Sequence, residues 1–496
     1  MKKIIVLIAI MGMVWPNLMA QNDIDALRYS LTSPLGSTAR SMGLGGAIGA
    51  LGADPATVLS NPAGLAQYKG GVFNISLGSV SLKNQSTYLD GATKNSNIFR
   101  PEMPSINLVF TDRKMRRGEP VKKGWINYNL LLGWNKTANF NRTMSFKGVN
   151  TGSSYTDYVA GYVQGLDASA LDANDEQLER GFYYFENMFW YSYLIDSNTN
   201  GNYYANYDNL NTRIAQSGQI ISKGGMNEFN LAFSGNYEHR LYFGIGLNIN
   251  SINYSEKNVF SEVDNPSTLD NWSAYDFTRN LETNGYGYSG RFGLIFRPNK
   301  NIRVGGTVHT PAALFLADNY SDELRVVHDD NETDDLETVD KKYSYNIVSP
   351  MKYGVQAAYI FGKKGLVSAE LESLDYSTMN ISDDNGAYED VNDNIANKYG
   401  TAVNLKLGAE YTLDAFRIRG GLASYGSPFS SGKDFSRKLV SAGVGIQERD
   451  WGFDFGLVKE FGKDVYSPYS VANGPENIVN SSTNSTRLVL TLTSKF

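Results

Sequence analysis

Cysteine is absent from the 496 residues, which removes disulfide frameworks, thiol nucleophiles and cysteine-bound metals. Histidine is nearly so: His239, His309 and His328 are the only three, scattered over a turn, a strand and an acidic loop. Neither G-x-S-x-G nor H-E-x-x-H occurs, so no catalytic residue is assigned and the chain reads as a non-enzyme. No cofactor is expected either, because Gly43-Leu44-Gly45-Gly46-Ala47-Ile48 lacks the third glycine of G-x-G-x-x-G and follows no strand. Long apolar runs are also missing. Beyond residue 20 no stretch offers eighteen consecutive apolar residues, which excludes helical membrane spans. Nor is there an excess of base: the formal charge is -6, or -8 once Lys2 and Lys3 are removed, which argues against nucleic acid.

What the chain does contain begins with an export signal. Lys2 and Lys3 precede an apolar run from Ile4 to Trp15, then Pro16 and a small residue, Ala20, at a cleavage position before Gln21. About twelve apolar residues are too few to span a bilayer, so residues 1–20 are expected to be a signal peptide. Length alone would suggest about three soluble domains, yet a large barrel is one domain of this size. Hydrophobic residues make up 42% of the chain and mean hydropathy is -0.33. This is too polar for a helical membrane protein and suits a barrel with a wet lumen. The 49 glycines and 32 tyrosines fit tight turns and interfacial aromatic girdles.

The pattern of alternation carries the fold. At the C-terminus Leu488, Leu490, Leu492 and Phe496 fall on one face, and Arg487, Thr491, Thr493 and Lys495 on the other. A dyad repeat of this kind places one face in lipid and one in a lumen. The same repeat runs through Phe229–Tyr237 and Leu241–Ile249 about the turn Glu238-His239-Arg240, and through Phe292–Phe296 and Ile302–Val308 about Pro298–Asn301. It recurs in Leu405–Tyr411 with Phe416–Leu422, and in Val444–Ile446 with Phe453–Leu457. Short turns join these pairs, whereas long polar stretches separate them near 150–226, 255–284, 318–342, 377–399 and 462–485. The expected fold is all-β, a transmembrane antiparallel barrel of about fourteen strands over residues 68–496, with short turns in the periplasm and long loops outside.

Residues 21–67 differ in kind. They carry Gly43, Gly45, Gly46 and Gly49, then Asp54-Pro55 and Asn61-Pro62-Ala63-Gly64, without a dyad repeat. Glycines permit close packing and Asn-Pro sets a turn, so the segment is expected to plug the lumen. The order of signal peptide, glycine-rich segment with Asn-Pro-Ala, and barrel ending in an aromatic residue resembles the FadL-like long-chain fatty-acid and hydrocarbon transporters of Gram-negative outer membranes. Ser41–Ala47 with Leu59–Gly64 looks most like the Bacteroidetes branch of that family. Further similarity runs through Thr307–Tyr320, Val348–Tyr376 and Arg417–Pro428.

The resemblance implies that Asn61, Pro62 and Ala63 belong to a hatch whose movement opens a passive route, from capture in the outer loops to lateral release through the wall. The cargo it implies is a hydrophobic small molecule, above all a long-chain fatty acid, which lipopolysaccharide excludes and an aqueous pore solvates poorly. Further expectations concern particular side chains. Phe182–Ile195 is an aromatic run in which Phe185, Phe189, Trp190 and Tyr193 are candidates for a capture groove. By strand parity Lys406, Arg417 and Arg419 point into the lumen, where a cation could hold a carboxylate; Glu410 is expected to pair with Arg417 across its hairpin. The acids Asp329–Glu337 match no calcium loop, and no metal site is assigned. Relatives of the Bacteroidetes type also suggest hemin as an alternative ligand, for which three dispersed histidines offer little, and a structural or adhesive barrel is a third possibility that would not need a hatch. The remaining expected partners are the outer membrane with its lipopolysaccharide and the barrel assembly machinery at Phe496. A closed barrel leaves no strand edge to pair, so a monomer is expected.

Overall fold

The computed structural model describes residues 22–31, 37–172, 184–198, 200–206, 214–264, 272–338, 340–384, 386, 388–432, 434–471, 474 and 477–496; the expected signal peptide lies outside them. Fourteen staves close on themselves with antiparallel neighbours throughout. They are β1 (Val72–Tyr88), β2 (Lys94–Arg113), β3 (Trp125–Asn139, resumed at Arg142–Asn150), β4 (Ile214–Tyr237), β5 (Leu241–Asp264), β6 (Trp272–Phe296) and β7 (Ile302–His309, resumed at Ala313–His328). They continue as β8 (Lys341–Val348, resumed at Lys352–Ile360), β9 (Gly365–Asp375), β10 (Thr401–Leu413), β11 (Phe416–Tyr425), β12 (Arg437–Gln447), β13 (Trp451–Tyr466) and β14 (Val479–Lys495). Closure is between β1 and β14, with Val72 opposite Lys495 and Tyr88 opposite Val479.

The alternation read from the sequence is the alternation of the wall. Leu488, Leu490 and Leu492 are exposed on the outer face while Thr491 is buried inside, and Phe229, Leu231, Phe233, Ile245, Leu247 and Ile249 continue the outer apolar band. Among the described residues no helix is long and apolar enough to cross a membrane.

Two of the expected loops are corrected. Most of 255–284 and the first part of 318–342 are strand, because β4, β5 and β6 run for 24, 24 and 25 residues. At roughly 3.3 Å per residue such staves extend well past the hydrocarbon layer. There both faces meet polar surroundings, so the dyad repeat fades while the backbone ladder continues.

Breaks in the staves fall at prolines or at replaced bonds. In β7 and β8 the adjacent Thr310-Pro311 and Ser349-Pro350 interrupt the ladder. Thr310 Oγ1 then accepts from Gly290 N–H at 2.8 Å, and Ser349 Oγ accepts from Ala312 N–H at 2.8 Å, so hydroxyls take up N–H groups where the ladder is interrupted beside the prolines.

Candidate substrate path: hatch, chamber, cap and wall

Residues 37–67 sit inside the barrel, bonded to inward-facing side chains. Helix α1 (Asp23–Ser30) precedes them, and α2 (Ala39–Gly43) starts at Thr38, whose side chain accepts from Ser41 N–H at 3.1 Å. Gly45 and Gly46 adopt φ of 62° and 79°, the left-handed region that glycine enters without strain. Gly43 and Gly49 are required by proximity instead. A Cβ on Gly43 would lie 3.2 Å from the Cα of Gly443, and one on Gly49 would lie 2.6 Å from Gln356 Cγ.

Asn61 joins hatch to wall. Its Oδ1 accepts from Ala63 N–H at 3.1 Å, capping the 3-10 turn Pro62–Gln67 with proline at the first position. Its Nδ2 donates to Gln356 Oε1 at 3.1 Å and to the carbonyls of Leu294 and Gly306 at 3.3 Å each. Wall glycines make the approach possible: a Cβ on Gly244 would collide with the Pro62–Ala63 peptide and one on Gly293 with the Asn61 amide. His309 Nε2 lies 2.8 Å from the carbonyl oxygen of Ser60, and Arg291 forms a two-point pair with Glu228 at 2.5 and 2.7 Å.

The lumen cations expected to be available for substrate are engaged. Lys406, fully buried, lies 2.9 Å from Glu370 and 2.8 Å from Glu372. Glu370 in turn accepts from Gly49 N–H at 3.1 Å and Ser60 Oγ at 3.0 Å. Arg419 pairs with Glu410 at 2.6 Å and Asp454 at 2.5 Å, and Glu410 also takes Arg40 of the hatch at 3.3 Å. The expected Glu410–Arg417 pair is therefore corrected. The β10–β11 turn sets Leu413 opposite Phe416 and so Glu410 opposite Arg419, and Arg417 donates instead to the carbonyls of Asp414 and Phe416.

Beside the hatch lies an apolar chamber occupied by α1. Ala26, Leu27 and Tyr29 are buried among Met226, Ile252, Leu314, Leu316, Ile347 and Ile381. Arg28 stacks on Tyr254, 4.4 Å from its ring centre, and pairs with Asp25 at 2.5 Å. The helix end is tied to α6 (Glu389–Lys398) of an outer loop, where Lys398 Nζ and the adjoining Tyr399 hydroxyl reach Asp23 at 2.8 and 2.7 Å.

A cap closes the loop end. Helices α3 (Tyr155–Tyr162), α4 (Ala168–Leu171) and α5 (Tyr184–Tyr191) pack an aromatic cluster against the upper staves. Here the capture-groove expectation needs correcting for two residues. Phe185 and Phe189 are buried in that cluster, with Phe189 5.3 Å from the Phe277 ring centre, because the apolar stripe of α5 faces its own core. Trp190 is half-buried and donates to Asp172 at 2.9 Å; Tyr193 is 66% exposed. Among the described residues neither carboxyl oxygen of Glu186, also buried in α5, has a hydrogen-bond partner on another residue. Burial pushes its pKa up to about 7, against the opposing pull of its own backbone N–H and of Arg279.

The wall itself has a gap that the sequence did not announce. β2 and β3 are paired only from Ser105 opposite Asn135 to Arg113 opposite Asn127. The two next meet at Ser96 and Ser145, whose hydroxyl oxygens are 3.4 Å apart. Between those points they share no ladder, leaving a window about eight residues long. Pro101 and Pro104 lack the N–H groups a partner would use, β2 bulges opposite Leu77, and β3 bends inward at Phe140-Asn141, opposite Gly224 with φ of 108°. Phe99 and Met103 are exposed beside the window. Behind it a cavity of about 10 Å³ is lined by Met42 of the hatch, Pro104, Ala138, Lys136, Glu102 and Arg487 among others. Two prolines three apart in β2 were the available signal.

The acids of the outer loop form a short strand, Thr333–Glu337, against β7, with His328 2.9 Å from Asp334. His239 occupies the turn between β4 and β5, where its N–H donates to Asn236.

No family model and no curated protein matches the chain. Solved structures do. The Pseudomonas putida toluene transporter TodX is 12% identical, covering 94% of this chain and 99% of its own, with a TM-score of 0.51. The monoaromatic hydrocarbon channel CymD is 14% identical over the same shares, TM-score 0.51, and a Pseudomonas aeruginosa FadL homologue is 12% identical over the same shares, TM-score 0.53. From the first stave to the last, the chain carries the fourteen-strand barrel fold of the FadL-type outer-membrane channels.

Proposed function

We propose that the chain is an outer-membrane channel for passive uptake of hydrophobic compounds, with long-chain fatty acids as its cargo. Cargo enters through the cap, displaces α1 from the apolar chamber, and leaves sideways through the window between β2 and β3 once the hatch shifts. The observation that supports this reading most is the window, an unpaired stretch of wall with apolar residues outside and a hatch-lined cavity behind. An aqueous pore would need no such break, whereas a hydrophobe gains by passing to lipid without crossing water. The similarity in fold to channels described as carrying toluene and monoaromatic hydrocarbons points the same way. Displacing α1 is compensated by the cargo's own burial, at roughly 25 cal/mol per Å² of apolar surface before ordering costs.

The test is uptake of labelled long-chain fatty acid by cells carrying the wild-type chain or Asn61→Ala, with saturable binding to the purified barrel measured in parallel and hemin as competitor. Saturable binding indifferent to hemin, with uptake altered by the hatch variant, supports the reading. Hemin binding with a ligated haem spectrum and no fatty-acid binding would overturn it.

A further inference from the structure

The short-turn end of the barrel concentrates positive charge. The chain as a whole is acidic at -6, yet the connection from β2 to β3 carries Arg113, Lys114, Arg116, Arg117, Lys122 and Lys123 against the single carboxylate of Glu119. It is the longest turn at that end and continues past the wall as a small hairpin. Arg116 lies opposite Glu119 across a tip made by Arg117 and Gly118, with φ of 53° and 81°, the two-residue turn with positive φ at both positions that closes tight hairpins. All six cations are exposed. Their field is felt by a neighbouring turn, where burial and the nearby Lys69, Arg297 and Arg113 hold the His239 imidazole below its ordinary value.

A band of aromatic side chains sets the level at which the hairpin leaves the wall. Trp125 at the foot of β3 and Tyr237 at the foot of β4 are both exposed, with ring centres 5.2 Å apart, and Tyr128 stacks on Phe233 at 5.6 Å. Such rings settle where hydrocarbon gives way to headgroups. Lys114 Nζ lies 5.3 Å from the Tyr128 ring centre, so the cationic hairpin starts on the lipid-facing side of that band.

We infer that the β2–β3 hairpin is a docking surface for anionic phospholipid headgroups in the leaflet that meets the turns. Guanidinium forks on Arg116 and Arg117 match phosphate oxygens, and the lysines add point charge. Clusters of about four to eight such cations at a membrane surface select anionic lipid, each contributing about fivefold in binding. A soluble acidic partner would not need a lysine seated on a lipid-facing ring. The hairpin joins the two staves that flank the window, separated from it by the ladder from Ser105 opposite Asn135 to Arg113 opposite Asn127. A headgroup held there fixes the foot of both staves and leaves the window edges unpaired.

Native mass spectrometry of the full barrel, offered dioleoylphosphatidylglycerol or dioleoylphosphatidylcholine at equal concentration, tests the surface. Wild type should prefer phosphatidylglycerol about twentyfold, the yield of two engaged cations, and the preference should shrink with added salt because exposed charges are screened. Replacing four cations together, as Arg116→Gln, Arg117→Gln, Lys122→Gln and Lys123→Gln, should bring the two lipids within about twofold of each other. Arg116→Lys with Arg117→Lys should keep most of the preference, and heat-modifiable migration on gels reports that each variant is folded. Lys363→Gln with Lys364→Gln, on another turn of the same end, should leave the preference largely intact; if that pair erases it as fully as the hairpin variant does, the selectivity belongs to the charge of the whole end and the hairpin surface is overturned. Equal affinity for the two lipids in wild type, or a preference that survives the fourfold glutamine variant, also overturns it. Poly-glutamate that binds the barrel in phosphatidylcholine nanodiscs and is not displaced by phosphatidylglycerol would assign the cations to a soluble acidic partner instead, with the same consequence.

Discussion

Replacing Asn61 by alanine tests how the hatch is held. The side chain does two jobs, capping the Pro62–Gln67 turn through Oδ1 and binding three wall acceptors through Nδ2. Loss of an N-cap costs about 1 kcal/mol. Loss of the buried donor costs about 1–3 kcal/mol more, because Gln356 Oε1 loses its hydrogen-bond donor. A total of about 2–4 kcal/mol shifts the docked-to-released equilibrium of the hatch by roughly 30- to 1,000-fold. Amide hydrogen exchange in the barrel should show this as faster exchange over 61–68, where the N–H groups of Gly64 and Tyr68 bond within the turn, and little change in β12 or β13. Asn61→Asp separates the two contributions: it keeps the capping oxygen but sets a buried carboxylate oxygen against three wall acceptors, so it should speed exchange more than alanine does. Unchanged exchange in the alanine variant, or aspartate and alanine behaving alike with no effect from either, would refute the assignment of Asn61 as the joint.

Three further outcomes are expected. Glu186→Gln should flatten the pH dependence of cap docking. A buried carboxyl whose pKa is raised to about 7 stabilises the docked cap fully below its ordinary value near 4.5, and that stability declines by about 3 kcal/mol as pH rises to 7; proteolysis of the cap at pH 5 and pH 8 reads it, and equal cleavage in wild type would contradict the assignment. Gly293→Ala should free the hatch much as Asn61→Ala does, since a Cβ there would lie 2.9 Å from Asn61 Cγ and closer still to Oδ1; crystallography or exchange of the 61–68 amides checks it. Ala138→Trp should block the passage behind the window and reduce uptake, and because Ala138 also belongs to the cluster that lines the chamber, ligand binding to purified protein should weaken with it; uptake and binding both unchanged would contradict the assignment.

Where the sequence was legible, one physical rule was enough. Leu488, Leu490 and Leu492 face outward because strands alternate, and the turns at Glu238–Arg240 and Pro298–Asn301 follow from where the alternation stops. The glycines at 43, 45 and 49 signalled close packing before the packing partner was visible. What remained hidden depends on distance along the chain or on a register of two residues. Glu102, Lys136 and Arg487 belong to strands far apart in sequence, so nothing local groups them. Arg417 and Arg419 share a face, and only the two-residue turn decides which one meets Glu410. The aromatic run around Phe185 has helical apolar spacing on a short loop helix, and spacing alone does not say whether that face meets solvent or its own cap.

The hatch is not held evenly, and the asymmetry predicts how it moves. Toward β6–β11 its anchors are charged or dense: Arg40 on Glu410, Gly49 and Ser60 on Glu370, Arg303 on the Leu51 carbonyl, Ser368 on the Ala47 carbonyl, and Asn61 on three acceptors. Toward the window its bonds are neutral and fewer: Ser37 to Asn135 and Ser105, and Ala39 N–H to Thr491 Oγ1. Hydrogen bonds to charged groups contribute about twice what neutral ones do, so Ser37–Ala39 beside the window should release first, with Arg40 on Glu410 and residues 46–64 still docked. Exchange of the Ala39 amide should therefore precede that of Gly49 and Gly64, and added ligand should accelerate it selectively. Uniform exchange across 37–67 would mean that the hatch moves as one body and that the window edge is no weaker than the rest.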